Sequence, residues 1–101
     1  MKTQVTFRHM ESSQSLQNTA TEAVAKFDKY YENITNTDVI FTQDTSCIVE
    51  IFVSVHGSTL IAKELSEDFV KSLNLAVDKV VRQLKKQKTK DSKFKTEGVE
   101  Y

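Results

Sequence analysis

The sequence contains no proline and no tryptophan, only two glycines, and a single cysteine. So few chain-breaking residues leave little material for a linker, which predicts one compact domain over residues 1–90 and a flexible, weakly periodic tail over residues 91–101. Cys47 has no partner for an internal disulfide, and no stretch approaches the roughly 20 apolar residues of a membrane-spanning helix. The N-terminus lacks the apolar run of a signal peptide, so we expect a cytoplasmic protein.

The residues that most enzymes need are also scarce. Cys47 lies in an alternating apolar segment, which predicts a small core side chain rather than a nucleophile. His9 and His56 have no second metal ligand at short spacing. Two glycines are too few for a phosphate-cradling loop or a nucleophile elbow. We therefore expect no catalysis, no cofactor and no metal.

A net charge of zero conceals a strong separation of charge along the chain. Residues 79–95 contain eight of the 14 basic groups and, in Asp91, one of the 14 acidic groups. This segment carries +7 and the remaining 84 residues carry −7. A basic surface of this density favours a polyanion as partner, either the phosphate backbone of a nucleic acid or an acidic membrane.

Hydrophobic periodicity predicts the element order β-α-β-β-β-α. The predicted strands cover residues 2–8, 37–42, 47–56 and 58–65, and the predicted helices run from Ser15 to about Asn33 and from Ser66 to Lys90. Ser12 or Ser13 is expected to cap the first helix. This order predicts an α+β fold in which a four-stranded, largely antiparallel sheet has both helices packed on one face.

Basic residues on the second helix form the candidate site. Lys79, Arg82, Lys86 and Lys90 recur three and four residues apart, so they form one row opposite the apolar stripe. Each pair of neighbouring like charges opposes the helix by a few tenths of a kcal/mol unless a partner neutralises it. Lys26 and Lys29 extend this surface if the two helices lie side by side. The alternative is an ordinary solvated face that complements the helix dipole.

Three segments carry a resemblance to a known family. They are Ala25–Ile34, which ends the first predicted helix, Asp38-Val39 in the next strand, and Asp78–Lys88, with the pattern Asp-Lys-x-x-x-Gln-Leu-x-x-x-Lys. Together they resemble the ribosome hibernation-promoting factors and the related ribosome-associated inhibitor, over about residues 3–90. The chain has no room for the C-terminal domain of long members, so it resembles a short form. Many members have glycine near the end of the first strand, where this chain has Phe7-Arg8-His9.

The resemblance implies a fold like that of double-stranded RNA-binding domains and binding to the small (30S) ribosomal subunit in the mRNA and tRNA channel. The implied partners are 16S ribosomal RNA and neighbouring ribosomal proteins, and the implied effect is inhibition of translation in stressed or resting cells. Promotion or blocking of ribosome dimers stays open. We expect a monomer when free, and neither a membrane nor DNA as partner. The implied RNA contacts are Lys26, Lys29, Lys79, Arg82, Lys86 and Lys90, with Lys85, Lys88 and Arg8 as further candidates.

Two other functions compete with this hypothesis. A free-standing double-stranded RNA-binding module would recognise A-form RNA by its phosphates and 2′-hydroxyls, but Glu67 and Asp68 make the start of the second helix acidic. A peripheral membrane protein would insert the basic helix into the lipid interface. Leu75 is nearly the only apolar residue on the basic side of that helix, whereas insertion needs more.

Overall fold

The computed structural model describes residues 2–55 and 57–97, and the side chains of the last helix as far as Gln87. The element order is the predicted β-α-β-β-β-α, with a 3₁₀ helix added after the first α-helix. The elements are β1 Lys2–Arg8, α1 Gln14–Ala25, the 3₁₀ helix Lys26–Lys29, β2 Asn36–Gln43, β3 Cys47–Val55, β4 Ser58–Ser66 and α2 Phe69–Glu97. His56 and residues 98–101, which end the predicted third strand and tail, lie outside the described residues.

The four strands form one mixed sheet in the order β1-β2-β3-β4. β1 and β2 are parallel because the chain crosses over through α1 between them, and parallel neighbours need such a crossover. β2, β3 and β4 form an antiparallel meander. The sheet is therefore largely antiparallel, which confirms the predicted fold class.

Both helices pack on one face of this sheet. Along β3, Val49, Ile51 and Val53 are fully buried, because the period of two in a strand turns every second side chain to the same face. α2 places Leu73 and Leu84, among others, in the same core cluster. Within the described residues, the second face of the sheet has neither helix against it, so the two faces meet different surroundings.

The first helix is shorter than the sequence predicts. Ser13 caps α1, since its Oγ accepts a hydrogen bond from the backbone N–H of Leu16 at 3.2 Å. The α-helical winding ends at Ala25, so the predicted helix to about Asn33 is wrong in its last part. Apolar spacing alone did not reveal the change because the tighter 3₁₀ winding still buries Phe27 and is followed by buried Tyr31.

The start of α2 is tied to the sheet by hydroxyl groups. Ser66 Oγ accepts a hydrogen bond from the N–H of Asp68 at 3.2 Å and lies 2.8 Å from Ser72 Oγ. Ser72 is fully buried and donates to the carbonyl oxygen of Cys47 at 2.7 Å. The helix therefore begins at Phe69 rather than at Ser66. Residues 91–97 of the predicted tail are helical, because no glycine or proline interrupts the chain there.

The end of β1 has a backbone conformation that favours glycine. His9 has a φ of 59°, in the left-handed region where a Cβ is crowded. Two residues earlier the ring of Phe7 stacks on Phe41 with centroids 5.4 Å apart, so the strand is fixed in the core before it turns. The side chain of His9 is therefore strained at the turn that ends β1.

Candidate nucleic-acid interface

The solvent side of α2 carries a group of cations. Leu73 and Leu84 are fully buried against the sheet, so the opposite side of the helix faces water. Arg82, Lys85 and Lys86 all lie exposed within one and a half turns of helix. Their ammonium and guanidinium groups are the donors that pair most strongly with phosphate oxygens.

One flank of α2 faces β4, and there Lys79, a cation of the predicted row, forms an ion pair with a carboxylate. Lys79 Nζ lies 2.6 Å from Oε2 of Glu64, whose side chain on β4 is only 22% exposed. One turn further along, Gln83 Nε2 donates to the carbonyl oxygen of Ile61 at 3.1 Å. The charge of Lys79 is therefore already compensated by the edge of the sheet.

The other flank of α2 faces the segment that follows α1. Lys85 Nζ lies 5.5 Å from the centroid of the Tyr30 ring, within the range at which a cation is attracted to an aromatic face. Nearer the start of α2, Lys26 lines an open cavity of about 550 Å³ together with Lys71 and Asp78. This flank therefore connects the cations of α2 with those that follow α1.

Lys26 and Lys29 are exposed, but the predicted placement on the first α-helix is wrong, since both belong to the 3₁₀ helix. Arg8 lies away from the helix layer. The preceding residue, Phe7, packs into the core, and successive side chains of a strand point to opposite faces. Arg8 thus belongs to the face of the sheet without helices. Lys88 and Lys90 are part of α2, but their side chains lie outside the described residues.

Acidic side chains reduce the positive charge toward the start of α2. Asp78 Oδ2 lies 3.7 Å from a guanidinium nitrogen of Arg82, and Glu67 Oε2 lies 3.9 Å from Lys71 Nζ. Both pairs are solvent-exposed, and such pairs contribute only about 0–1 kcal/mol. Arg82 therefore stays available to a phosphate, whereas Lys79 is bound to a carboxylate that is largely buried.

Sequence reasoning missed Glu64 and its effect on Lys79. The strand pattern contained a usable signal, because Glu64 shares the helix-facing side of β4 with buried Ala62. A carboxylate on that side needs a partner, and the basic helix is the nearest source of one. The missing information was which flank of α2 faces β4, and that depends on tertiary packing.

Two other kinds of site, a metal centre and a membrane span, concern the part of the chain that the structure describes. No group of three or more histidine, cysteine, aspartate or glutamate side chains there is arranged to hold a metal ion. None of its helices combines the length and the apolar character needed to cross a bilayer.

The fold and its surface define a two-layer α+β domain with a cationic helix. The family model described as Sigma 54 modulation protein / S30EA ribosomal protein matches residues 3–92. The chain belongs to this family, and the family predicted from the sequence is confirmed.

Individual relatives agree with this assignment. The chain is 30% identical over 91 residues to a protein of Pseudomonas putida named ribosome hibernation promoting factor, a match that covers 89% of each protein. A protein of the same name from Azotobacter vinelandii is 25% identical over 91 residues, which is 89% of this chain and 85% of the relative.

Solved structures share the fold. A ribosomal subunit interface protein from Coxiella burnetii has a TM-score of 0.79 and 26% identity, and the match covers 88% of this chain and 99% of that one. The N-terminal domain of Protein Y from Thermus thermophilus has a TM-score of 0.78 and 21% identity, with 85% and 98% covered. At that identity the second likeness supports the fold alone.

Proposed function

We propose that this protein is a non-enzymatic ribosome hibernation factor that binds the ribosome in the cytoplasm and inhibits translation. Its family and the names of its relatives, ribosome hibernation promoting factor and ribosomal subunit interface protein, support the proposal. The observation that carries it is the exposed group of Arg82, Lys85 and Lys86 on a helix whose other side is buried in the core. Because a packed helix fixes the spacing of these charges, little order must be gained when they meet a phosphate backbone.

The proposed target is the small subunit, at 16S ribosomal RNA and neighbouring ribosomal proteins in the channel that mRNA and tRNA use. Cations of α2 and of the 3₁₀ helix pair with RNA phosphates and release counterions. The folded body then excludes mRNA and tRNA, so inhibition follows from occupancy and needs no chemical step. The proposed contacts are Lys26, Lys29, Arg82, Lys85, Lys86, Lys88 and Lys90, joined by Lys79 when it leaves Glu64, and by Arg8 from the other face of the sheet.

A free-standing double-stranded RNA-binding module is the alternative function. Such a module needs phosphate contacts at the start of its final helix, whereas here Glu67 and Asp68 are exposed at that place. The two functions predict different partners. A module of this class binds any A-form duplex, and a hibernation factor selects the ribosomal subunit.

Cosedimentation of the purified protein with 30S subunits, 50S subunits and a plain RNA duplex distinguishes these functions. We expect selective binding to 30S subunits. If about five phosphates are contacted, the logarithm of the binding constant should fall with the logarithm of salt concentration with a slope of about −4.5. Equal binding to every duplex, or no binding to 30S subunits, would contradict the proposal.

A pair of charge-matched variants locates the contact surface. Arg82→Glu with Lys86→Glu reverses two exposed cations of α2, and we expect 30S binding to be lost. Lys2→Glu with Lys63→Glu changes the net charge equally, but on the face of the sheet without helices, and most binding should remain. If both variants lose binding to the same extent, the helix surface is not the specific contact.

A further inference from the structure

The face of the sheet without helices is unusually apolar. Ile61 and Leu65 on β4 are 54% and 56% exposed. The register places Ile61 opposite Phe52 and Leu65 opposite Ile48 of β3. Ile40 adds a fifth large apolar side chain on neighbouring β2. An antiparallel sheet with one solvated face normally turns polar residues to the water, so this surface has the composition of a face that becomes covered.

The charges on this face follow the same strand pairing. Glu50 of β3 lies directly opposite Lys63 of β4, in the row between the Phe52–Ile61 pair and the Ile48–Leu65 pair. On β3 and β4 this face therefore carries an apolar pair, a charged pair and a second apolar pair in three successive rows. Its charged side chains are of both signs, namely Lys2, Arg8, Asp38, Glu50 and Lys63. A nearly neutral surface of this kind does not fit a polyanion but fits a protein with the same alternation.

We propose that this face binds the same face of a second copy of the chain. A two-fold axis parallel to the strands, between β3 and β4, lays β3 of each copy over β4 of the other. Each row of one copy then faces the same row of the second copy, with β3 opposite β4. Glu50 of each copy meets Lys63 of the second copy, and the apolar pairs on either side meet in the same way. The face is therefore complementary to itself in charge and in apolar character, as a symmetric dimer interface requires.

The area of the face sets the strength of this dimer. β4 is an edge strand, so only β3 and β4 of each copy overlap in this arrangement. Two strands about 4.8 Å apart and about 26 Å long present roughly 250 Å² of sheet. Stable interfaces bury about 800 Å² on each partner, so the pair should be weak and form only at high protein concentration. A dilute sample stays monomeric, as the sequence predicts. Both helices lie on the other face, and Arg8, on β1, lies outside the overlap of β3 and β4. The proposed RNA contacts therefore remain exposed in the pair, so this proposal is independent of ribosome binding.

Sedimentation equilibrium of the full-length protein tests the self-association. Between about 10 μM and about 1 mM protein, a weak dimer raises the weight-average mass from 11.5 kDa toward twice that value. Replacing Ile61 and Leu65 by threonine removes exposed apolar area but keeps residues that suit a strand. We expect this variant to remain monomeric and to keep the wild-type circular dichroism spectrum. A wild-type mass that stays at 11.5 kDa throughout would overturn the proposal.

Exchange of charges tests the facing arrangement. Glu50→Lys and Lys63→Glu each set like charges against each other across the interface, so each variant alone should be monomeric. An equimolar mixture restores opposite charges at both contacts and should dimerise. Glu22→Lys, at an exposed position of α1, is the matched control and should dimerise like the wild type. Dimerisation of Glu50→Lys alone at wild-type strength, or failure of the mixture to dimerise, would overturn the arrangement.

Discussion

The ion pair between Lys79 and Glu64 leads to a quantitative prediction for the proposed ribosome contact. Glu64→Gln removes a carboxylate that lies 2.6 Å from Lys79 Nζ and nearly preserves the shape of the side chain. Because the side chain of Lys79 is already 51% exposed, the released ammonium group has room to turn toward the solvent side of α2. We expect the basic surface to gain one cation that pairs with phosphate.

The size of the effect follows from counterion release. One additional phosphate contact steepens the salt dependence of binding by about 0.9 in logarithmic slope, which corresponds to roughly an eightfold gain in affinity at about 0.1 M salt. The same substitution removes a partly exposed ion pair, which lowers the free energy of unfolding by less than about 1 kcal/mol. The expected variant therefore binds more tightly although it is slightly less stable.

The assay is binding to 30S subunits over a series of salt concentrations, for the wild type, Glu64→Gln, Lys79→Ala and the double variant. Lys79→Ala should change little alone but should cancel the gain from Glu64→Gln. Glu67→Gln is the control, because it removes the same charge from a carboxylate that is 82% exposed. The reasoning is refuted if Glu67→Gln gives an equal gain, or if Lys79→Ala weakens wild-type binding as strongly as Arg82→Ala does.

Two further predictions concern stability, measured by urea unfolding. His9→Gly should raise the free energy of unfolding by about 1 kcal/mol, because φ at this position is 59°, whereas His9→Ala should give no gain. A stabilisation by alanine as large as that by glycine would show that the backbone is not the cause. Leu84→Ala should lower the free energy of unfolding by about 2–5 kcal/mol because Leu84 is fully buried, and Leu75→Ala, at a 42% exposed position, should cost far less. Similar losses for both leucines would contradict the described packing of α2.

Element order was predictable because each element has its own period in the sequence. Val49, Ile51 and Val53 alternate along β3, whereas Leu73, Val80 and Leu84 recur at helical spacing in α2. The predicted ends were less accurate, because they depend on local hydrogen bonds. The contact between Ser66 Oγ and the N–H of Asp68, which precedes the first turn of α2, is one such detail that apolar spacing does not contain.

The candidate site was predictable only within its own helix. Helical spacing placed Lys79 and Arg82 on the polar side of α2, and both do lie away from the core. It gave no information about what each flank of the helix faces. β4 holds Lys79 through Glu64, and the Tyr30 ring lies against Lys85 on the other flank. Cations that look equivalent in the sequence therefore differ in how available they are.

The exposure of the sheet face without helices was a second feature that the sequence alone did not predict. In β3, Ile48 and Phe52 alternate with the buried valines, so the strand is apolar on both faces. A strand of that composition is typical of a sheet covered on both sides. In the described fold, α1 and α2 cover one face of the sheet. On the other face, Ile61 and Leu65 of adjoining β4 are more than half exposed. The composition of β3 and the exposure on β4 thus independently indicate that the second face of the sheet becomes covered. The row of Glu50 and Lys63 between the apolar pairs makes a second copy of the chain the fitting partner for that face.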